Sequence, residues 1–520
     1  MTSNTGELHV RARTQVQDSV ASGRRRFLQT GAAGALGAAA LSLAPAAVLA
    51  RPALKLGPDG LRALARDFDG RLILPGQDGY ALAAWPNNAR YSGVLPQAVA
   101  MCANQRDVQR CIRWAGDSGM PFAIRSGGHN YAGFSTTAGL LIDVKAMNSV
   151  TVDLKNETAW VQGGANNNDV AAVLRNYPYA IPSGRCPTVG TSGLVLGGGW
   201  GFAATHDGLT CDSLLGTELV LASAEARSID ANSHKELFWA VRGGGGGNFG
   251  VHTGFTFKLH KVDKVTTFNL SWAPGKQIEL LRALQALQLT YPTMISTRSK
   301  ALPMAAGARP ARDSLYVQTL GQFWGGEKEL REMLAPLYAV AVPQTADIYE
   351  VDYWRGRDYL LTDDPNGLYD IRCSFVKTAL SEAAMDNMLT WMTRWPGGSV
   401  LQENMGILFA IGGQVKAVPS NATAYVHRDS NFIFEMEASW GPIDKPETVQ
   451  RQRAWLKDYY DDMQRFLQPE SYVNFPSRDL KNWAQAYYGS NLGQLSDVKR
   501  RVDPGNLFRF EQSIPLAPKR

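Results

Sequence analysis

RSGGHNYAGFS, residues 125–135, and GRCPTVGTSGLVLGGGWGF, residues 184–202, are the two stretches from which the rest of this chain is best understood. Residues 122–125 read as a short strand running into the Gly127-Gly128 turn, with His129 directly after it. In the second stretch Cys186, flanked by Arg185 and Pro187, stands just ahead of the glycines at 197–201. A strand that enters Ser-Gly-Gly presents successive backbone N–H groups, and such nests bind phosphate. GGGGGNFG, residues 243–250, offers a third loop of the same kind. Three such loops together imply a large anionic ligand, for example a dinucleotide pyrophosphate. The spacing excludes the commoner phosphate motifs. No GxGxxG follows a first strand with an acidic residue about 20 positions on, and no GxxxxGK[ST] is present. Any one of these loops taken alone is equally well a tight packing turn.

The nucleophiles separate the two readings. A histidine is most often a satisfied polar residue and a cysteine a small hydrophobe. Here His129 follows the first nest and Cys186 opens the second. An imidazole or a thiolate is the side chain able to add to an electron-poor ring. The remaining cysteines, Cys102, Cys111, Cys211 and Cys373, do not pair into a disulfide framework, and Cys102, Cys111 and Cys373 sit among apolar residues as buried thiols. No CxxC or HExxH occurs, so no metal site is expected.

With these motifs the chain resembles the berberine-bridge-enzyme-like group of FAD-linked oxidases, in the vanillyl-alcohol oxidase superfamily. The resemblance runs from about Ala89 to the C-terminus and rests on RSGGH, GRCPTVG, GGGWG, GLTCD (208–212), WAVRGGGGGNFG and the terminal YYGSN and VDPGNLFRFEQSI. It implies an α+β fold with a PCMH-type FAD-binding domain, and FAD attached covalently through His129 to the flavin 8α-methyl and through Cys186 to C6. It also carries flavin contacts over to Arg125, Ser126, Gly127, Gly128, Val189, Gly190, Gly197, Gly198, Gly199, Gly201, Gly250, Val251, Tyr488 and Asn491. The family reaction moves a substrate proton to a base and a hydride to flavin N5, and oxygen then reoxidises the flavin.

The resemblance is incomplete where the proton is handled. The strand NFIFEMEASW places Glu435 five residues before Trp440, as the family places a substrate-facing Glu or Gln, and Glu437 shares its face by the period of two. Both could instead be solvated strand carboxylates. Relatives carry a catalytic tyrosine in a YxNY segment, but here Tyr472-Val473-Asn474-Phe475 lacks the second hydroxyl. Tyr472, Tyr487 and Tyr488 are the possible substitutes, so the expected catalytic set is Glu435, Tyr472 and Tyr488. Gly193-Leu194 stands where relatives have a glycine and a histidine. Val189 resembles the valine that leaves room for oxygen in family oxidases.

Along the chain, strands and helices alternate from about Leu95, and after about Lys264 longer alternating strands predict an antiparallel sheet covered by helices on one side. Helices are expected at 61–67, 104–118, 169–175, 327–337 and 381–393. The domain expectation is a signal segment at 1–50, a lead-in at 51–90, an FAD domain at 91–263, a substrate domain at 264–471, and a C-terminal segment at 472–520 that returns to the FAD domain. Arg24-Arg25-Arg26-Phe27-Leu28, an alanine-rich run and Val48-Leu49-Ala50 resemble a twin-arginine signal, against the alternatives of an ordinary secretory signal or a retained anchor. Export to the periplasm or beyond follows from that reading. The formal charge of +6 falls to +3 without residues 1–50, where 48 Lys+Arg face 45 Asp+Glu, too little for a nucleic-acid partner.

The expected partners are a small alcohol, sugar or phenolic substrate and O2, with no nucleic acid, no stable membrane insertion and a monomeric state. The expected activity is an oxidase that produces H2O2. A dehydrogenase of the same fold with another acceptor, and a non-catalytic carbohydrate- or aromatic-binding relative, are the alternatives. Trp324, Tyr353-Trp354, Trp391 and Trp395 are candidates for sugar stacking, with core packing the commoner use of such residues.

Overall fold

The computed structural model describes residues 58–307, 309–361 and 367–518. The signal segment expected at 1–50 lies outside them. Three sheets organise the chain. In the first, the strands Ala98–Met101, Leu140–Asp143 and Phe122–Arg125 run parallel, and Arg71–Ile73 pairs antiparallel on the outside of Ala98–Met101. Part of the expected lead-in is therefore the edge of this sheet. The helix Gln105–Ser118 supplies the crossover. Its side chains Val108, Cys111, Ile112 and Ala115 repeat on one buried face, the Asn104 side chain caps the start at 3.1 Å, and Gly119 in the left-handed region ends it.

The second sheet is antiparallel, in the order Val150–Asp153, Thr158–Gln162, Val251–Lys258, Leu214–Val220, Ala226–Asp230. The third has seven antiparallel strands, in the order Thr345–Asp352, Lys264–Trp272, Leu315–Phe323, Ile295–Pro303, Ile407–Ala410, Phe432–Trp440, Leu368–Val376. One face of it carries Phe268, Leu270, Trp272, Phe432, Phe434 and Met436. These pack under the helices Gln277–Thr290, Glu382–Thr393 and Pro446–Met463, with Leu284, Leu389 and Leu456 among the contacts. Each such fully buried side chain contributes about 1.5–3 kcal/mol. The expected mixed α+β architecture, with helices on one face of the large sheet, is the one observed.

The other face of the large sheet differs from a simple alternating sheet. Alternation predicts that the polar face meets water, yet the strand Ile295–Pro303 is buried along its whole length. Its second face packs against the FAD-side half, so Ile407, Phe409, Ile433, Cys373 and Phe375 share one core with Phe255, Phe257 and Trp200. Polar residues on this face are thus walled in rather than solvated. The helix expected at 327–337 is in fact two, Glu327–Met333 and Ala335–Val340, because Pro336 starts a new helix and cannot continue the old one. Trp391 and Trp395 lie in the helix-side core against Tyr459 and Trp455, so they are packing residues.

The C-terminal segment closes back on the glycine loops. Lys499, in the helix Leu492–Val502, is fully buried and donates at 2.6 Å to the Asn248 and Phe508 carbonyls and to Asp503 Oδ2. Asn248 Oδ1 in turn accepts from the Ile514 amide at 2.8 Å.

Candidate functional site

The two opening motifs meet in one cleft of about 420 Å³. Its lining includes Ser126, Gly127, Gly128, His129, Cys186, Val189, Gly190, Leu194, Trp200, Gly250, Asn474 and Phe475. The volume is within the usual range for small-molecule sites. The glycines explain how the two loops come together. A Cβ on Gly127 would collide with the Gly190 amide and stand 2.6 Å from the Thr188 carbonyl, and a Cβ on Gly190 would collide with the Gly127 amide and Ser126 Oγ. Backbone meets backbone here, which only glycine allows. Gly128 then turns through the left-handed region at φ 82°, and His129 follows it into the cleft.

The histidine and the cysteine are held by partners of different kinds. His129 Nε2 lies 2.7 Å from Thr188 Oγ1, two residues beyond Cys186, and 3.5 Å from Asn87 Nδ2. The Cys186 carbonyl accepts from Asn167 Nδ2 at 2.8 Å, and the Pro187 and Val189 carbonyls accept from the Asn168 and Asn167 amides. The N-terminal turn of the helix Asn167–Leu174 thereby clamps the loop on both sides of the cysteine. All five cysteines are buried, and none is in a disulfide. Burial pushes the Cys211 and Cys373 thiols up, Cys373 to about 12.

Other expected contacts lie away from the cleft. Arg125 is buried and donates to the carbonyls of Ala83, Ala84, Trp85 and Ser135, a clamp under the His129 loop. Gly197, Gly198, Gly199 and Gly201 pack on Asn474, Tyr425, Thr210 and Ser183, and Trp200 between them is the residue that reaches the cleft. Val251 is a buried strand residue paired with Val220. Tyr488 donates to the Gly244 carbonyl at 3.0 Å, and Asn491 donates to the Ser420 and Thr423 carbonyls. Tyr472 is buried beneath the glycines, its oxygen accepting from the Gly199 amide at 2.9 Å and Asn474 Nδ2 at 3.2 Å. Burial pushes the Tyr472 and Tyr488 hydroxyls well above the usual phenol range. Tyr472 and Tyr488 therefore sit as supports under the loops and do not face the cleft. Phe475 does line it, packed between Tyr131 and Phe409.

Glu435 is buried on the enclosed face of the large sheet, in register with Ile407 and Cys373. The same face carries residues the sequence did not single out. Arg298 is 8% exposed and Lys300 5% exposed. Arg298 and Arg185 each lie over the Phe409 ring, at 5.7 and 5.8 Å, and that ring touches the cleft-lining Trp200 and Phe475. Burial, then repulsion from Arg185, lowers Arg298 to about 10, with Glu435 and Cys186 close enough to oppose the shift. Burial, then Arg298, lowers Lys300 to about 8. In the sequence these two cations occupy alternate positions of a strand, which reads as an ordinary solvated edge. Nothing local marks them.

Known proteins place this geometry. Residues 96–230 match the family described as FAD binding domain, and residues 471–515 the family described as berberine and berberine like. Two FAD-linked oxidoreductases of Bacillus subtilis strain 168 are similar along most of their length. YgaK is 31% identical over 81% of this chain and 91% of its own, and YvdP 32% identical over 86% and 98%. Berberine bridge enzyme-like D-1 of Nicotiana tabacum is 27% identical over 75% of this chain and 78% of its own. Among solved structures, Physcomitrella patens BBE-like 1 superposes with a TM-score of 0.79 at 26% identity, over 88% of this chain and all of its own. A berberine bridge enzyme variant in complex with (S)-reticuline shares the fold, with a TM-score of 0.80 at 23% identity over 89% of this chain and 99% of its own. Among the described residues no helix is long and apolar enough to cross a membrane. Through the cleft its two motifs build and the relatives it matches along most of its length, the chain belongs to the berberine-bridge-enzyme-like family of FAD-linked oxidoreductases.

Proposed function

We propose that this protein is an exported oxidase that holds FAD by two covalent bonds, through His129 and Cys186, and oxidises an alcohol or sugar hemiacetal with O2 as acceptor, releasing H2O2. The observation that carries the reading is the meeting of the two side chains in one cleft, on loops interlocked through Gly127 and Gly190. The residues present fit the group. The nest at 126–128 and the loop at 246–250 are the segments whose amides would hold a pyrophosphate, and Ser126, Gly127 and Gly250 line the cleft. When bound, FAD supplies the two-electron acceptor for a hydride and the site from which oxygen removes the electrons.

The remaining work belongs to the chain. The Thr188 hydroxyl beside His129 Nε2 fixes the ring relative to the cysteine loop. Glu435, on the sheet face shared with Arg298, is assigned the substrate hydroxyl proton, since Phe475 has no hydroxyl to take it. General-base removal of this kind is worth about 10²–10⁴ in rate. Val189 lines the cleft beside Gly190 and is assigned the space that oxygen uses. One of the matching structures, a glycine-to-alanine variant of berberine bridge enzyme, is a reticuline dehydrogenase, so the acceptor is tested separately.

The deciding experiment is the colour of acid-precipitated protein. The pellet of the wild type stays yellow, His129→Ala and Cys186→Ala each keep one tether, and the double variant releases all flavin to the supernatant. A colourless wild-type pellet overturns the covalent assignment. Oxygen uptake matched by peroxide release identifies the oxidase, whereas turnover with a dye alone identifies a dehydrogenase. Retention of a precursor in a strain lacking the twin-arginine translocase tests the export route.

A further inference from the structure

Among the described residues Arg298 and Lys300, walled in beside the cleft, form no ion pair with a buried carboxylate, and Glu435 on the same face offsets only part of the cost of burying Arg298. Arg298 Nη2 donates to Asn404 Oδ1 at 2.9 Å, but its buried Nε has no hydrogen-bond partner, and Arg298 has no ion pair among the described residues. Among the described residues Lys300 has a single ionic neighbour, Glu403, at 3.7 Å, and that carboxylate is 61% exposed. Glu437 is already taken up by Asn404 Nδ2 and the Ser439 hydroxyl. Leaving a guanidinium and an ammonium buried in this state is costly, because the lost hydration is not replaced by a paired charge. The low value of Lys300, about 8, records that cost. Placing two guanidiniums over one aromatic ring adds mutual repulsion. An anion brought against Arg298 and Lys300 relieves both groups at once.

We infer that the substrate carries an acidic group, a carboxylate in the simplest case, which docks on Arg298 and Lys300 while its oxidisable carbon faces the His129 and Cys186 end of the cleft. The inference rests on the reading of the cleft as a flavin-dependent oxidation site, and it narrows that reading from alcohols at large to acidic alcohols such as uronic acids or hydroxymethyl arene carboxylates. Neutral sugars and amines gain nothing from the two cations. A positively charged substrate is repelled by them. Glu435 stays on the same face as the proton acceptor, so the anion and the base are separate positions on the two strands that flank Ile407–Ala410.

The test uses the flavin-loaded protein and two matched pairs, 4-(hydroxymethyl)benzoate with its methyl ester and D-glucuronate with D-glucose. Calorimetry measures binding and oxygen uptake measures kcat/KM. At least one acid should exceed its neutral partner about tenfold or more in affinity, as charge-assisted hydrogen bonds imply. Arg298→Met and Lys300→Met should each cut that ratio at least about fivefold, with Arg298→Lys retaining more of it than Arg298→Met. Lys300→Met guards the test should Arg298→Met fail to fold. Equal or better binding of both neutral partners, absence of binding by both acids, or an acid preference that survives both substitutions overturns the inference. Because binding is read without turnover, an acid preference in a protein whose flavin is not covalent sinks the flavin assignment alone.

Discussion

Lys499→Met is expected to loosen the whole C-terminal latch. The ammonium is fully buried and makes three bonds of 2.6 Å, to the Asn248 and Phe508 carbonyls and Asp503 Oδ2. Burial pulls its pKa down against the pull of Asp503, so the charge is held in place only by those three acceptors. Methionine fills the same space but donates nothing. Two carbonyls lose that donor, and Asp503 keeps only the Leu507 and Phe508 amides at 2.7 and 2.9 Å. Breaking a buried pair from one side costs about 3–5 kcal/mol, and the surviving amide bonds place this case near the lower end. Adding Asp503→Asn removes the orphaned charge and should restore about 1–2 kcal/mol of the loss. Denaturant unfolding followed by tryptophan fluorescence gives the stabilities, and hydrogen exchange at the Ile514 amide, bonded to Asn248, reports the latch directly. Because Asn248 sits in the third glycine loop, flavin incorporation should fall with the latch. A loss below about 1 kcal/mol in Lys499→Met, or a double variant no more stable than the single one, refutes the argument.

Gly127→Ala drives a methyl group into the Gly190 amide and is expected to destabilise by about 1–3 kcal/mol or more while abolishing flavin retention, checked by melting and by pellet colour. Tyr472→Phe removes the acceptor of the Gly199 amide, so it should cost about 1–3 kcal/mol of stability with kcat changed only a few-fold; a loss of kcat of about 10² or more would mark Tyr472 as the base after all. His252, stacked on Phe255 and bonded to Thr217, is lowered by burial to about 3. The unfolded chain takes up that proton below its ordinary value of 6.5 and the folded chain does not, so this contribution is intact above pH 6.5 and is lost progressively as pH falls toward 3. The loss amounts to about 4–5 kcal/mol, and His252→Gln should flatten the stability profile across that window.

Much of the fold could be read from short-range pattern. The helix at 104–118 is expected from its apolar spacing and its Gly119 end, and the strand at 122–125 has the expected bounds because β-rich runs end at turns. Pro336 breaks the helix expected at 327–337, because amphipathic spacing on both sides of a proline does not make one continuous helix. For the site, Ser126 to His129, Cys186, Val189, Gly190 and Gly250 do line one cleft. Tyr488, Asn491 and the glycines at 197–201 were harder. Their motifs are real, but what each touches depends on segments hundreds of residues away, such as Asn474 on Gly197 and Ser420 on Asn491.

The amino-acid order alone determines the nests, the two nucleophiles beside them and the alternation of the large sheet, because each of these depends on neighbours a few residues apart. The tertiary structure decides what stands opposite. Gly127 and Gly190 become one contact, Tyr472 and Tyr488 become props under the glycine loops, and the polar face of the Ile295–Pro303 strand turns inward. A period of two tells which side chains share a face, but only packing tells whether that face meets water or another domain. That is why Arg298 and Lys300, unremarkable in the chain, end as buried cations beside the cleft that His129 and Cys186 define.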